Sequence, residues 1–167
     1  GCKKEYIITL NQTHSNNVIY FENQKEVKNK IMGDAIVTKI KNVGISILAA
    51  DCAPILFYDP KKKIIGCAHS GWKGALYGII ENTVKKFNEL NSKNSDLIAV
   101  VGPCIKKENY EVEIDFMEKF LLQDKSNEVY FEKKNKEKYY FNLRGFINNK
   151  LLNLKVNNIE NIELDTF

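Results

Sequence analysis

The chain has 167 residues, of which 44% are hydrophobic, and a formal net charge of +4. This length suffices for one well-buried domain and is short for two, so we expect a single domain over residues 1–167. No stretch approaches the roughly 18 consecutive apolar residues of a membrane span, and the first residues do not form a signal peptide. We therefore expect a soluble, cytoplasmic protein without a membrane partner.

The positive charge comes from scattered lysines. Segments such as KKNKEKYY and NQKEVKNK mix lysine with asparagine and glutamate, and Arg144 is the sole arginine. Proteins that bind specific nucleic acids concentrate arginine and aromatic residues on one face. The pattern therefore favours a solvated, lysine-rich surface and no specific nucleic-acid partner.

The four cysteines, at positions 2, 52, 67 and 104, form no CxxC pair. Such sparse cysteines are typical of reduced thiols and not of a disulfide scaffold. Cys67 stands two residues before His69, so on a strand both side chains would face the same way. We nevertheless interpret Cys67 and Cys104 as structural, because buried cysteine commonly acts as a small hydrophobe.

Short apolar runs predict strands through the first half of the chain. Asp59 and Pro60, followed by three lysines, indicate a turn between two of these strands. A charged segment over residues 22–32 suits a surface excursion. The predicted strands cover residues 5–10, 18–21, 33–38 after an initial turn, 45–50, 54–58 and 63–68.

The second half of the chain alternates helical and extended patterns. Apolar residues spaced by three and four positions predict helices over residues 75–90, 114–122 and 143–154. Apolar runs predict strands over residues 97–101, 129–131, 139–141 and 159–164. This mixture indicates an α/β or α+β fold, in which mixed β-sheets are flanked by helices.

Three reactive side chains lie beside turns at the ends of predicted strands. They are His14, Cys52 and His69, and the chain has no other histidine. Two imidazoles and one thiolate make three zinc ligands and leave a fourth position open, as in catalytic zinc sites. The spacing matches no short zinc signature, and a single histidine is more often an ordinary surface or core residue. Their common placement favours a site.

The segment Ser70–Gly71–Trp72–Lys73–Gly74 stands just before the first predicted helix. Glycines let the backbone approach a ligand, and free N–H groups together with Lys73 would suit a phosphate. The alternative is a glycine turn required only for close packing. Trp72 could stack on a base or cover the core.

Six segments stand out along the chain, namely NQTHSNNV, GDAIVT, AADCAPILFYDP, AHSGWKG, VGPCI with NYEV, and YYFNL. In order and spacing these segments closely resemble the YfiH-like family. This family is also named multicopper polyphenol oxidase or laccase-like, and is described as purine nucleoside phosphorylase. The resemblance implies a four-layer α/β/β/α sandwich and zinc held by His14, Cys52 and His69.

The activity that the resemblance implies is phosphorolysis of adenosine or inosine to the base and ribose 1-phosphate. Adenosine deamination and methylthioadenosine cleavage are further implied reactions. The partners would be a purine nucleoside and phosphate, with Asp51 accepting a proton or holding a ligand. We expect zinc more than copper, because two histidines cannot supply the ligands of a multicopper centre.

The chain departs from the family pattern at both ends. Family members carry a segment before the QxH motif and another beyond the position of Phe167, and both are expected to be missing here.

Two alternative functions remain open. One is a metal-independent Cys-His hydrolase that attacks amide bonds of cell-wall precursors, with Cys52 as nucleophile and His69 or His14 as base. The other is a non-catalytic, truncated family member. The sequence carries no signal for an oligomeric state.

Overall fold

The computed structural model describes residues 7–23 and 31–167 as an assembly of eleven strands and four α-helices. In chain order the elements are β1 (Ile7–Ile8), β2 (Val18–Phe21), β3 (Ala35–Thr38), β4 (Gly44–Ile45), β5 (Ala53–Asp59), β6 (Ile64–Ser70), α1 (Trp72–Tyr77), α2 (Ile79–Glu89), β7 (Ile98–Val101), β8 (Glu111–Glu113), α3 (Ile114–Gln123), β9 (Phe131–Lys133), β10 (Lys138–Phe141), α4 (Leu143–Asn153) and β11 (Asn158–Asn161).

Six of these strands form a mixed sheet in the order β11-β7-β5-β6-β3-β2. The outer pairs β2–β3 and β7–β11 are parallel, and the inner pairs are antiparallel. β8, β10 and β9 form an antiparallel sheet, and β1 pairs with β4 in parallel. The prediction of an α/β fold with mixed sheets and helices is confirmed.

The hairpin of β5 and β6 brings two candidate ligands to the same end of the central sheet. The carboxylate of Asp59 accepts hydrogen bonds from the backbone N–H groups of Lys61 and Lys62, at 2.8 and 2.9 Å, which closes the predicted turn. The strands pair so that Pro54 lies opposite His69. Cys52 directly precedes β5 and is therefore a neighbour of His69, as the strand-turn-strand pattern predicts.

The helix predicted over residues 75–90 is two helices. Gly78 has a φ of 100°, in the left-handed region, and its N–H bonds the carbonyl of Gly74 to close α1. α2 then begins at Ile79 and packs across β3 and β6. The apolar spacing continues through Gly78, so periodicity alone did not reveal the break.

Two further sequence predictions are wrong in extent. Of the strand predicted over residues 45–50, the structure retains only the short β4 (Gly44–Ile45), and residues 46–52 form an irregular loop. Residues 48–51 in that loop are exposed, although the first three of them are apolar. Val129 lies in a 3-10 helix (Lys125–Tyr130), and the strand predicted at its position begins at Phe131.

Smaller differences concern strand ends. β6 continues through His69 to Ser70, so this histidine lies within the strand, and β11 ends at Asn161. The predictions for residues 5–6, for Cys2 and for most of the excursion over residues 22–32 fall outside the described residues.

The centre of the main sheet, at β3 and β6, is buried on both faces, whereas Leu56 and Tyr58 of β5 are exposed. All four residues of β3 are buried, which matches a continuous apolar run better than alternation. One face packs against α2 and an aromatic cluster that includes Phe120, Phe141 and Phe146. The other face packs in a smaller cluster around Ile8, Phe21, Ile36 and Cys67. Within the described ranges, no helix has the length and apolarity needed to cross a membrane.

Candidate metal centre

The structure brings His14, Cys52 and His69 together. One ligand atom from each residue lies within 4.8 Å of the others. His14 belongs to the loop between β1 and β2, Cys52 ends the loop before β5, and His69 lies near the end of β6. The side chain of His14 is exposed, that of Cys52 is half-buried and that of His69 is buried. The two imidazole rings meet edge-on, with centroids 4.7 Å apart.

The chemistry of this donor set fits zinc. Imidazole nitrogen and thiolate sulfur are the ligands zinc prefers, and separations below 4.8 Å are compatible with a single ion between the three atoms. Because His14 lies at the exposed side, a fourth position there would be open to a substrate.

Asp34 forms hydrogen bonds with His69 and with the loop that carries His14, and the sequence patterns did not identify it as a functional residue. Its carboxylate is fully buried and lies 2.9 Å from Nδ1 of His69. Burial by itself would raise the pKa of Asp34, but hydrogen bonds from His69, Ser15 and Thr13 outweigh it and lower the pKa to about 2. The group is therefore an ionised acceptor, so Nδ1 of His69 carries a hydrogen and Nε2 offers its lone pair to a metal.

The same carboxylate also shapes the loop that carries His14. It accepts hydrogen bonds from three consecutive backbone N–H groups, those of Thr13, His14 and Ser15, at 3.1, 3.0 and 2.7 Å. The hydroxyl of Ser15 donates a further bond at 2.7 Å. His14 has a φ of 56°, a left-handed conformation that costs about 1–2 kcal/mol for a residue with a Cβ. The buried carboxylate compensates this cost and fixes the loop.

Gly71 permits the close approach of the donors. A Cβ at this position would lie 2.7 Å from Sγ of Cys52 and 3.2 Å from Cδ2 of His14. Gly74 similarly leaves room for the carbonyl of Ser15, which would be 3.2 Å from an added Cβ. Both glycines in the predicted phosphate turn thus have a packing reason.

The thiol of Cys52 has a raised pKa. Burial is the main cause, and the nearby acidic groups of Asp51 and Asp34 add to it. Zinc binds the thiolate, so binding at this site would release a proton.

The other candidate residues lie around this cluster. Asp51 is exposed, and its carboxylate accepts a hydrogen bond from the hydroxyl of Thr166 at 3.0 Å. Trp72 begins α1 and packs against Phe116, with ring centroids 4.9 Å apart, so it covers part of the core. Lys73 is exposed, with Nζ 5.5 Å from the Trp72 ring centre.

The two other described thiols are separate from the cluster. Cys67 is fully buried in the smaller apolar cluster, and burial raises its pKa to about 12. Cys104 is also buried and accepts a hydrogen bond from Nη2 of Arg144 at 3.3 Å. Both environments are those of structural thiols.

A sequence signal for Asp34 existed in the GDAIVT segment. An acidic residue directly before a mainly apolar strand gains nothing from apolar packing and must be solvated or hydrogen-bonded at the end of the sheet. Only the fold shows that its partners come from residues 13–15 and from His69.

Comparisons with known proteins agree with this architecture. The family profile described as multi-copper polyphenol oxidoreductase laccase matches residues 1–167. Two relatives, named purine nucleoside phosphorylase RC0672 from Rickettsia conorii and RP494 from Rickettsia prowazekii, are each 38% identical over 166 residues, which are 99% of this chain and 68% of the relative. The crystal structure of the hypothetical protein YfiH from Bacillus licheniformis superposes with a TM-score of 0.88 at 25% identity, over 97% of this chain and 65% of that one.

The chain spans about two thirds of the length of these proteins. The match nevertheless extends over nearly all of the present chain, in sequence and in fold, which confirms the resemblance inferred from the six motifs. The chain therefore belongs to the multi-copper polyphenol oxidoreductase laccase family, the YfiH-like group whose matched Rickettsia members are named purine nucleoside phosphorylase.

Proposed function

We propose that this protein is a zinc-dependent purine nucleoside phosphorylase that converts adenosine or inosine and phosphate to the base and ribose 1-phosphate. The observation that carries the proposal is the cluster of His14, Cys52 and His69, with ligand atoms within 4.8 Å of one another. The names of the relatives supply the substrate class. Adenosine deamination and methylthioadenosine cleavage are assigned to the same site as additional activities.

His14, Cys52 and His69 would hold the zinc ion, which would supply Lewis-acid chemistry toward a substrate oxygen. The protein contributes orientation. Asp34 holds His69 in one tautomer and, through the Thr13–Ser15 backbone, holds His14 in place. The exposed side of His14 gives the nucleoside access to the cluster.

The remaining roles fall to residues at the rim of the cluster. Asp51 adjoins Cys52 in the chain and exposes its carboxylate, so we assign it proton acceptance or contact with a substrate hydroxyl. Lys73 is exposed on the first turn of α1, close in sequence to Gly71, and we assign its charge to phosphate. Trp72 would then contribute through the packing that holds this turn.

A second candidate, the Cys-His hydrolase, is favoured by one observation. His69 bonds Asp34 through Nδ1 and lies beside Cys52, as the base of a nucleophile-base-acid triad does. Two features count against it. A triad of Cys52, His69 and Asp34 does not require His14. An activated cysteine nucleophile also requires a lowered thiol pKa, whereas the pKa of Cys52 is raised.

The deciding experiment follows inosine and phosphate by chromatography, using purified protein whose metal content is measured by elemental analysis. We expect stoichiometric zinc and phosphate-dependent formation of hypoxanthine and ribose 1-phosphate. Cys52→Ala should abolish both, whereas Cys67→Ala should abolish neither because Cys67 lies outside the cluster. Zinc without product would favour a non-catalytic family member, and purified protein without any bound metal would favour the hydrolase.

A further inference from the structure

The side chain of Gln12 makes two hydrogen bonds to the backbone of Leu48. Its Nε2 donates to the Leu48 carbonyl, and the Leu48 N–H donates to its Oε1, each over 2.7 Å. The pair of bonds defines the orientation of the amide, because the reversed orientation would set donor against donor and acceptor against acceptor. The amide therefore acts as a two-point clamp on one peptide segment.

This clamp joins the two loops that carry His14 and Cys52. Gln12 stands two residues before His14, and Leu48 stands four residues before Cys52. The segment before Gln12 is anchored independently, because Asn11 exchanges backbone hydrogen bonds with Ile31 and Gly33 at 2.9 and 3.1 Å. Backbone hydrogen bonds therefore hold the Gln12 side of the clamp in place.

On the other side of the clamp, Ile47 packs against the smaller apolar cluster, but the loop is exposed from Leu48 to Asp51. Residues 46–52 have no regular secondary structure, and the side chain of Leu48 is 80% exposed. The backbone of this loop is tied at its start by Ser46 to Ile8 and near its end by Ile105 to Asp51. The Gln12 clamp lies between these ties, so it restrains the middle of the loop.

We propose that Gln12 is a positioning residue of the metal centre, which holds the Cys52 loop against the His14 loop and so sets the distance between the thiolate and the imidazoles. This role rests on the proposed zinc site. Residues that support metal ligands from outside typically change metal affinity by 10–100-fold when replaced. The side-chain hydrogen bonds of Gln12 go to Leu48 and not to a ligand atom, so we expect zinc affinity to fall about tenfold, at the low end of this range.

The test compares Gln12→Ala with Asn16→Ala as a matched control. Asn16 lies in the same loop and also donates one side-chain bond of 2.7 Å, but to the carbonyl of Tyr77 at the end of α1. Zinc affinity is measured by competition with a chelator. The cobalt-substituted proteins are compared by absorption, because the thiolate-to-cobalt charge-transfer band reports the bond to Cys52 directly. Thermal unfolding of the metal-free proteins measures stability separately.

We expect Gln12→Ala to weaken zinc binding about tenfold and to reduce or shift the charge-transfer band. Asn16→Ala should keep the wild-type affinity and spectrum. Gln12→Glu keeps an acceptor for the Leu48 N–H but sets a carboxylate oxygen against the Leu48 carbonyl, so it should also weaken zinc binding. It provides a second variant if the alanine protein does not fold.

Two results would overturn the role of Gln12 while leaving the zinc site intact. One is a Gln12→Ala protein with wild-type affinity and spectrum, and the other is an equal loss in both alanine variants, which would indicate general loosening of the loop. A wild-type protein that binds neither zinc nor cobalt would instead overturn the metal centre and, with it, this role.

Discussion

The imidazole of His69 and the carboxylate of Asp34 form a buried pair, joined by a 2.9 Å hydrogen bond, in which the side chains are 4% and 0% exposed. Asp34 has further bonds to the loop of His14, so one carboxylate supports two of the three candidate ligands. The geometry of the centre depends on a residue that would not touch the metal.

Replacing Asp34 should therefore damage the metal centre and the fold to different degrees. Asp34→Asn keeps the size of the side chain but loses the charge and must turn a donor toward N–H groups, so we expect zinc affinity to fall 10–100-fold. Asp34→Ala leaves the buried His69 and the partly buried N–H groups of residues 13–15 without their acceptor, and should lower the free energy of unfolding by about 3–5 kcal/mol. Chelator competition and denaturant unfolding measure the two effects, and unchanged zinc affinity in Asp34→Asn would contradict the assignment.

Gly71→Ala should disrupt the cluster by direct contact, because the added methyl group would lie 2.7 Å from Sγ of Cys52. We expect loss of most bound zinc in a folded protein, measured by elemental analysis and circular dichroism.

Gly78→Ala is the control for this substitution. Its Cβ would meet no atom closer than 3.7 Å, but the φ of 100° is strained for alanine. It should cost about 1–2 kcal/mol of stability and leave zinc content unchanged. Equal zinc content in the two variants would contradict this role of Gly71, because its backbone conformation is open to any residue.

Thiol alkylation should separate the described cysteines. Burial raises the pKa of Cys67 to about 12, so at pH 8 only about one molecule in 10⁴ carries its thiolate, and the native fold also shields it. We expect iodoacetamide to modify Cys52 slowly in metal-free protein and not in zinc-loaded protein, while Cys67 stays unmodified in both. Peptide mass spectrometry reads each site, and alkylation of Cys52 at the same rate with and without zinc would argue for the hydrolase.

Lys73→Gln should impair phosphate use if Lys73 binds phosphate. A charge-assisted hydrogen bond contributes about 1.5–3 kcal/mol, so the KM for phosphate should rise at least tenfold while the KM for inosine stays the same. Lys85→Gln makes the same change in net charge at an exposed position of α2 and serves as the control. If both variants show the wild-type KM for phosphate, the anion binds elsewhere.

Local patterns predicted those elements whose signal lies within a few residues. The β5–β6 hairpin was predicted from two apolar runs and a turn, and α3 and α4 were predicted from apolar spacing, with ends correct to within two residues. The loop over residues 46–52 could not be predicted in this way. Its run of apolar residues is typical of a strand, although residues 48–51 are exposed to solvent. Gly78 likewise interrupts a helix without interrupting its periodicity.

The sequence by itself determined the chemistry of the candidate centre: two histidines and a cysteine beside turns, in motifs that place the chain in its family. Only the tertiary structure decided how these donors are held. Asp34 reaches Thr13, His14, Ser15 and His69 across separations of 19 to 35 residues, and Gln12 reaches Leu48 across 36. Ligand identity is a property of single residues, whereas orientation depends on hydrogen bonds between loops that are brought together by pairing of distant strands.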